Sequence, residues 1–199
     1  MPDLLGVVGS ISAPSRTATA VSVALDAAAD TYGVETELIH LGDYDVVTAD
    51  GRLLEAYEGD TADVLEAIIE SEAYVFGTPV YRASYSGLLK NLFDMIPRGE
   101  WQADVAPLEN SAVSLVATGA TDHHFLAADT ELRPVMAFFG AYITGSAYLQ
   151  SEHFIEQDES YQIVEEDIRS RLETLGCATA ELSRAIPEHE GLSSLGPQI

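Results

Sequence analysis

Hydrophobic residues fall into two kinds of run that alternate along the chain. Short, almost wholly apolar runs predict buried strands at 4–8, 73–77, 112–117 and 142–149, and the weakly alternating run 34–41 predicts another. Between and after these runs, apolar residues recur three and four positions apart, as on one face of an amphipathic helix. A strand and a helix therefore alternate five times. This order predicts an α/β fold, a doubly wound five-stranded parallel sheet with helices on both faces and right-handed crossovers.

Glycine, proline and polar residues indicate where the predicted helices begin and end. Asp60 or Thr61 is expected to cap the second helix. Pro134 is expected to break or restart the helical segment 122–140, and the last helix is expected to carry an apolar stripe over 164–182. Helices are expected to stop at Gly33, Pro97 and Pro187.

A chain of 199 residues is long enough for one domain with a sizeable core, and 47% of its residues are apolar. We interpret residues 1–187 as that single domain. Residues 188–199, in which Gly, Ser and Pro predominate, are predicted to form a flexible tail. The acidic segment 42–59 is predicted to be an irregular surface connection, and 151–160 is predicted to be an acidic connection between the last strand and the last helix. Trp101 lies in a further predicted loop, where it either contacts a ligand or subunit or packs over the sheet edge.

Charge is the unusual feature of the composition. Asp and Glu number 33 against 9 Lys and Arg, which gives a net charge of -24, and Lys90 is the single lysine. A field of this sign repels DNA, RNA and anionic lipid, which argues against nucleic-acid and membrane-surface functions. Because the acidic residues are spread along the chain and multimolar salt would screen their repulsion, we interpret the excess as halophilic adaptation.

The sequence offers little for a disulfide, a metal or a membrane. One cysteine, Cys177, excludes an internal disulfide and a cysteine-cluster metal site. The first residues lack the basic start and apolar run of a signal peptide, and no stretch approaches the roughly 18–20 apolar residues of a membrane span. We therefore expect a cytoplasmic protein. His123 and His124 are adjacent and have no acidic partner at a metal-ligand spacing, so no metal site is predicted.

The loop after the first predicted strand, GSISAPSRT, is rich in hydroxyl groups and leads into a helix. Ser10, Ser15 and Thr17, backbone N–H groups and the Arg16 guanidinium can meet a phosphate at that helix N-terminus. Serines in such a position also serve as ordinary helix caps, so the loop alone leaves both interpretations open. Its pattern is neither a Walker loop nor G-x-G-x-x-G.

A second loop, TPVYRASYSG, follows the third predicted strand. In an open parallel sheet, ligands bind where loops leave the carboxyl ends of the strands. Pro79 fixes the backbone, Tyr81 and Tyr85 offer stacking area, and backbone N–H groups can face ring heteroatoms. The loop therefore suits a flat ring with polar edges. Thr118 and Gly119 begin a third loop, and all three loops are expected to meet at one edge of the sheet.

Three ordered segments carry a resemblance to a known family. The segment TPVYRASYSGLLKNLFDMIP resembles the TP-x-Y-x-x-S/A-Y-S-G-x-L-K-x-x-x-D motif of the NADPH-dependent FMN reductases, a flavodoxin-like family, and in particular of its sulfonate-utilisation branch. GSISAPSRT and TGATDHHFLAADTELRPVM are also similar to family segments, so the resemblance spans most of residues 4–150. It implies strand order 2-1-3-4-5, with FMN at the switch point beside the first and third strands. Residues 1–187 would then be a flavodoxin-like FMN-binding domain.

The resemblance implies an oxidoreductase in which hydride passes from NADPH or NADH to FMN without a catalytic side chain. The flavin phosphate would be bound by Ser10, Ser15, Arg16 and Thr17. The isoalloxazine would lie along Pro79, Val80 and Tyr81, near Tyr85 and Ser86, with Thr118 and Gly119 on its other side. Arg82 would meet the phosphates of NADPH, or would be a solvated arginine paired with a surface carboxylate. A homodimer or homotetramer is implied by the family alone.

Some positions and choices stay open within this resemblance. Thr130 stands where the sulfonate-linked reductases carry a tyrosine or histidine at a subunit contact close to the flavin, and Gly119-Ala120 replaces a usual Gly-Gly. His124 matches a family histidine near the flavin and could exchange a proton there. The sequence does not choose between NADPH and NADH, nor between bound FMN and released FMN that supplies a partner monooxygenase. Alternatives are a quinone or azo-dye reductase with tightly held FMN and a non-enzymatic flavodoxin-like electron carrier.

Overall fold

A computed structural model describes residues 2–100 and 103–196. Its central element is a five-stranded parallel sheet in the order β2-β1-β3-β4-β5. The strands are β1 (Leu4–Val8), β2 (Thr36–His40), β3 (Ala73–Pro79), β4 (Ala112–Gly119) and β5 (Tyr142–Gln150). The predicted fold class and strand order are confirmed, and each predicted strand overlaps an observed one.

Helices cover both faces of this sheet. Within the described residues they are α1 (Arg16–Tyr32), α2 (Gly59–Glu70), α3 (Gly87–Phe93), α4 (Arg133–Phe139), α5 (Glu166–Ala185) and α6 (Glu190–Ser193). One-turn 3₁₀ helices lie at Leu41–Asp43, Leu54–Ala56, Asp122–His124, Ser151–His153 and Ile186–Glu188, and a π-helical turn spans Ala128–Leu132.

The core has two halves because successive strand residues point to opposite faces of the sheet. In β1, Leu5 and Val7 belong to the half that packs against α2, α3 and α4, whereas Leu4 and Val8 belong to the half under α1 and α5. Both halves are apolar, which explains why the central strands read as continuous apolar runs. Helices α1 and α5 approach closely at Gly176, where a Cβ would overlap the backbone of residue 24.

The start of α2 differs from the prediction. Its N-cap is Glu58, so Asp60 and Thr61 lie inside the first turn and cap nothing. Their side chains instead accept backbone hydrogen bonds from Asp45 at 2.7 Å and from Val47 at 3.0 Å. The two oxygens therefore fasten the acidic connection that precedes the helix.

Of the three predicted helix ends, the one at Gly33 is confirmed. Gly33 ends α1 with φ 63, and its N–H bonds to the carbonyl of residue 29 at 2.8 Å. The stop at Pro97 is wrong, because α3 ends at Phe93 and the chain then tightens into an i→i−3 turn. Helix α5 ends at Ala185, and Pro187 lies in the 3₁₀ turn that follows.

A β-hairpin begins within the segment predicted as an acidic connection, 151–160, and extends to residue 163. Strands β6 (Phe154–Gln157) and β7 (Ser160–Ile163) pair antiparallel, and the first and last residues of the hairpin are buried against α1 and α5. Asp158 and Glu159 form its turn with φ values of 49 and 60. The predicted helical stripe also starts too early, because Val164 lies before α5 and is exposed.

Pro134 restarts the helical segment 122–140, as one of the two expectations had it. The segment begins as a 3₁₀ turn, passes through the π-helical turn and becomes regular only in α4, where Pro134 occupies the first turn. Gly140 then ends α4 with φ 81.

The described part of the tail, up to Gly196, lies against the body of the protein. The Asn110 side chain donates to the Ser193 carbonyl at 3.1 Å and accepts from the Gly196 N–H at 2.9 Å. Flexibility of the tail stays a prediction, and Trp101 falls outside the described residues. Within 2–100 and 103–196, every helix is too short or too polar to cross a bilayer.

Candidate functional site

Three loops meet at the carboxyl edge of the sheet, as the strand order requires. Strands β1, β3 and β4 are neighbours, with Val8 paired to Gly77 and Pro79 paired to Thr118. The loop that follows each strand therefore opens onto the same edge, where α/β sheets bind ligands.

A cleft of about 340 Å³ lies between these loops. Of the predicted site residues, the cleft is lined by Ser10, Arg16, Thr17, Pro79, Val80, Tyr81, Thr118 and Gly119. Its other lining residues, which the predicted site did not include, are Ser12, Pro14, Ala120, Ser151 and Tyr161. The remaining predicted site residues, Ser15, Arg82, Tyr85 and Ser86, do not line it. The sequence thus predicted lining residues from all three loops and missed the contribution of Tyr161 from the hairpin.

The first loop combines a helix cap with a buried hydroxyl. Ser15 is the N-cap of α1, and its side-chain oxygen accepts the N–H of Ala18 at 3.2 Å. The buried Ser10 hydroxyl oxygen accepts the N–H of Ser12 at 3.1 Å. The loop can come this close to α3 because residue 9 is glycine, since a Cβ there would lie 2.7 Å from the Cβ of Leu89. Capping by Ser15 is therefore realised, and phosphate binding by the neighbouring groups is compatible with it.

Two threonine hydroxyls form the floor of the cleft. The side-chain oxygens of Thr17 and Thr118 are 2.7 Å apart, and both residues are buried. This hydrogen bond joins the first turn of α1 to the end of β4. It fixes the first and third loops relative to one another.

The second loop is held by backbone hydrogen bonds at both ends. Val80 N–H donates to the Thr118 carbonyl at 2.7 Å, and Tyr81 and Ser84 exchange two backbone bonds of 2.9 and 3.2 Å. Arg82 and Ala83 lie between them with φ values of 53 and 68, as in a type I′ turn but without glycine. The N–H groups of Val80 and Tyr81 are therefore engaged, so ring heteroatoms would need other donors of this loop.

Side chains of the second loop point in different directions. Tyr81 is 54% exposed at the rim of the cleft, and Arg82 is exposed at the tip of the turn. Tyr85 instead packs against Phe93, with ring centroids 6.0 Å apart, and burial raises the pKa of Tyr85. Ser86 caps α3 by accepting the N–H of residue 89 at 3.1 Å. Contact of Tyr85 or Ser86 with a flavin stays a prediction.

Arg16 is the one Lys or Arg side chain that the described residues place in the lining of the cleft. Its guanidinium carbon lies 4.6 Å from the centroid of the Tyr161 ring, on strand β7. No carboxylate in the described ranges lies within 4.0 Å of its nitrogens. Together with the N-terminus of the 17-residue helix α1, this charge makes the end of the cleft formed by the first loop suited to an anion.

Residues of the 122–140 segment that the sequence singled out do not line the cleft. Nδ1 of His124 is buried and has no hydrogen-bond partner among the described residues. Thr130 lies in the π-helical turn, and its hydroxyl donates to the Leu126 carbonyl at 3.1 Å. Single π turns within helices occur often at functional sites. A role for either residue at the flavin stays a prediction.

Comparison with known proteins decides the family. A family profile described as NADPH-dependent FMN reductase matches residues 2–156. The chain belongs to this family. It is 33% identical over 173 residues to the NAD(P)H-dependent FAD/FMN reductase of Geobacillus thermodenitrificans (strain NG80-2), covering 86% of this chain and 88% of that relative. It is 32% identical over 172 residues to the NADH-dependent FMN reductase SfnF of Pseudomonas fluorescens (strain Pf0-1), covering 85% of each.

A solved structure supports the fold independently. The apo form of the NADH:FMN oxidoreductase EMOB superposes with a TM-score of 0.71 at 24% identity, covering 96% of this chain and 94% of that one. As an NADPH-dependent FMN reductase family member, the chain is an oxidoreductase that uses FMN and NAD(P)H. The family, activity and cofactors predicted from the sequence are confirmed.

Proposed function

We propose that this FMN reductase binds FMN in the 340 Å³ cleft, with the FMN phosphate at the end formed by the first loop. The observation that carries the proposal is the group of anion-binding features there: buried hydroxyls of Ser10 and Thr17, the Arg16 guanidinium and the N-terminus of α1. In a chain with a net charge of -24, such a site would not arise from general surface composition. Ser15 would contribute by capping α1 and fixing the loop.

The ring of FMN would lie farther from the first loop, between the second and third loops. Pro79, Val80 and Tyr81 line one side, while Thr118 and Gly119 line the other. When bound, FMN supplies the ring that accepts hydride from the nicotinamide. The protein's task is to hold and align two substrates, so orientation replaces a catalytic side chain. Arg82, exposed at the rim beyond Tyr81, is proposed to meet the phosphates of the nicotinamide nucleotide.

FMN is proposed to act as a substrate whose reduced form leaves for a partner monooxygenase. Support comes from the relatives, which are named for flavin as the molecule reduced. Tyr85 and Ser86 would support the loop from behind. They join it to α3 through the contact with Phe93 and the helix cap. Residues 1–187 would form the single FMN-binding domain.

A homo-oligomer is proposed from three exposed apolar side chains of the 122–140 segment. Phe125, Leu126 and Phe138 are 58%, 50% and 59% exposed, and they are large apolar side chains on a highly charged surface. Burial of these side chains between copies of the chain would stabilise a dimer or tetramer. We also propose a cytoplasmic location, where NAD(P)H is available. The excess of acidic residues supports a halophilic source.

The deciding experiment is anaerobic reduction in multimolar KCl. Purified protein is mixed with NADPH and a large excess of FMN, and the absorbance of oxidised flavin is followed. Bleaching of many equivalents per site supports turnover of free FMN. Bleaching of one equivalent would overturn the substrate role in favour of bound FMN and a quinone or azo acceptor, and absence of bleaching despite tight binding would favour an electron carrier. NADH in place of NADPH identifies the donor.

A further inference from the structure

The β6–β7 hairpin brings a tyrosine to the phosphate end of the cleft. Tyr161 lines the cleft from β7, and its ring meets Phe154 edge to face at a centroid distance of 6.2 Å. Phe154 and Ile163 are buried in the core half under α1 and α5, so the hairpin is anchored at both ends. The position of the Tyr161 ring is therefore set by the core and not by a mobile loop tip.

The partner that the hairpin offers to Arg16 is chemically unexpected. The hairpin is acidic, and Glu156 is the cross-strand neighbour of Tyr161. Even so, the Arg16 guanidinium lies over the Tyr161 ring at 4.6 Å, and among the described residues no carboxylate reaches it within 4.0 Å. An aromatic face holds a guanidinium through its flat side. A carboxylate would instead occupy the N–H groups at its edge.

This difference matters for binding a phosphate. Because its partner is the Tyr161 ring and not a carboxylate, Arg16 keeps its charge and its N–H groups for a ligand, and it remains the positive group that lines the cleft in the described structure. An acidic partner would have to be displaced by the incoming phosphate. In a protein of net charge -24, carboxylates are abundant, so an arginine without a stacking partner would tend to be captured by one.

We infer that Tyr161 is a positioning residue that holds Arg16 for the phosphate of FMN and so sets the preference for FMN over riboflavin, which lacks that phosphate. The inference rests on the proposed binding of FMN in this cleft. Tyr161 acts through Arg16, and the hairpin is thereby part of the flavin site. Its ring, and not its hydroxyl, carries the effect.

The test compares dissociation constants for FMN and riboflavin, measured by quenching of flavin fluorescence in multimolar KCl. The variants are Tyr161→Leu, Tyr161→Phe, Arg16→Gln and the double variant Arg16→Gln/Tyr161→Leu. Tyr161→Leu is expected to raise the Kd for FMN by about two- to fivefold, the range that an exposed cation–π pair supplies, and to leave that for riboflavin unchanged. Tyr161→Phe keeps the aromatic ring and is expected to bind FMN as tightly as the parent protein does. In the double variant, loss of the ring should add nothing to loss of the arginine.

Each other outcome overturns the inference in a recognisable way. Equal weakening of FMN and riboflavin in Tyr161→Leu would mean that the ring only shapes the cleft. A Tyr161→Phe variant as weak as Tyr161→Leu would mean that the hydroxyl contacts the ligand directly. If Arg16→Gln does not weaken FMN relative to riboflavin, the proposed phosphate site itself fails. A selective loss in Arg16→Gln without one in Tyr161→Leu would leave the site intact and remove only the role of Tyr161.

Discussion

The side-chain oxygens of Thr17 and Thr118 lie 2.7 Å apart although the residues are separated by 101 positions in the chain. The bond joins α1, the helix that follows β1, to the end of β4, which lies on the other side of β3 from β1 in the sheet. Both threonines are buried, so neither oxygen has ready access to bulk water in place of the other. The floor of the cleft therefore depends on one side-chain pair.

Thr118→Val should lower the free energy of unfolding by about 1–2 kcal/mol, because the buried Thr17 hydroxyl loses its partner. Thr118→Ser keeps a hydroxyl at this position and is the matched control, with a smaller loss. Chemical denaturation of both variants, of Thr17→Val and of Thr17→Val/Thr118→Val completes a double-mutant cycle. Strictly additive losses across the cycle would contradict a direct hydrogen bond.

Apolar runs were sufficient to predict the sheet and the edge where the cleft lies. Residues of β1, β3 and β4 are buried on both faces of the sheet, and for this reason each of these strands is a run of apolar residues in the sequence. Parallel strands then place the following loops together. Thr118 was therefore found from the position of a strand end and Thr17 from the hydroxyl-rich loop before a helix, whereas Val80 was implied by the family resemblance.

The hairpin could not be predicted in the same way. Its strands have four residues each, and most of its side chains face solvent, so no apolar run marks them. Its turn uses Asp158 and Glu159 at positive φ, where the usual signal is Asn-Gly or Asp-Gly. Tyr161 was missed for this reason. Tyr85 shows the opposite limit, because the sequence places it in the loop but cannot tell that its ring turns towards Phe93.

Arg82→Gln should raise the KM for NADPH by about two- to fivefold, the range expected for one exposed ion pair, with the KM for FMN unchanged. The reason is that Arg82 is exposed beside the rim of a cleft in a protein that otherwise repels anions. Arg184→Gln removes the same charge near the amino end of β1, at the opposite edge of the sheet, and serves as the control. Steady-state kinetics in which both variants leave the NADPH KM unaltered would remove Arg82 from the proposed site.

Ala83→Gly should stabilise the second loop. Ala83 has φ 68, a left-handed conformation that costs a residue with a Cβ about 1–2 kcal/mol, and relief of this strain exceeds the added entropy of glycine in the unfolded chain. We expect a gain of up to about 1 kcal/mol in the free energy of unfolding. The same replacement inside α2, Ala62→Gly, should instead cost about 1 kcal/mol. Denaturant titration that shows equal losses for both variants would mean that the turn is not strained.

Stability should fall above pH 10 in part through Tyr74. Its buried hydroxyl faces the carbonyls of Ile68 at 2.6 Å and Ser71 at 2.8 Å, and burial raises its pKa well above the usual value of 10.0. Because the pKa is raised in the folded state, this contribution is complete below the unfolded pKa and declines as the pH rises through and beyond 10.

Tyr74→Phe isolates that contribution from those of other tyrosines. The variant should be less stable than the parent at pH 9, since the two carbonyls lose their donor. The difference in unfolding free energy should then shrink by up to about 1.4 kcal/mol for each pH unit above 10. A difference that is constant from pH 9 to 12, in denaturant titrations, would show that Tyr74 ionises equally well in both states.

Salt should stabilise the folded protein, because 33 acidic residues repel one another in a chain with 9 basic ones. Raising KCl from 0.1 M to 1 M shortens the Debye length from about 10 Å to about 3 Å, which screens this repulsion while leaving the buried core unchanged. The midpoint of thermal unfolding should therefore rise steeply with KCl. Sucrose of equal osmolality is the control, since it favours compact states without screening charge. If sucrose raises the midpoint as much as KCl does, or if neither does, charge repulsion does not limit stability and the proposal of halophilic adaptation is lost.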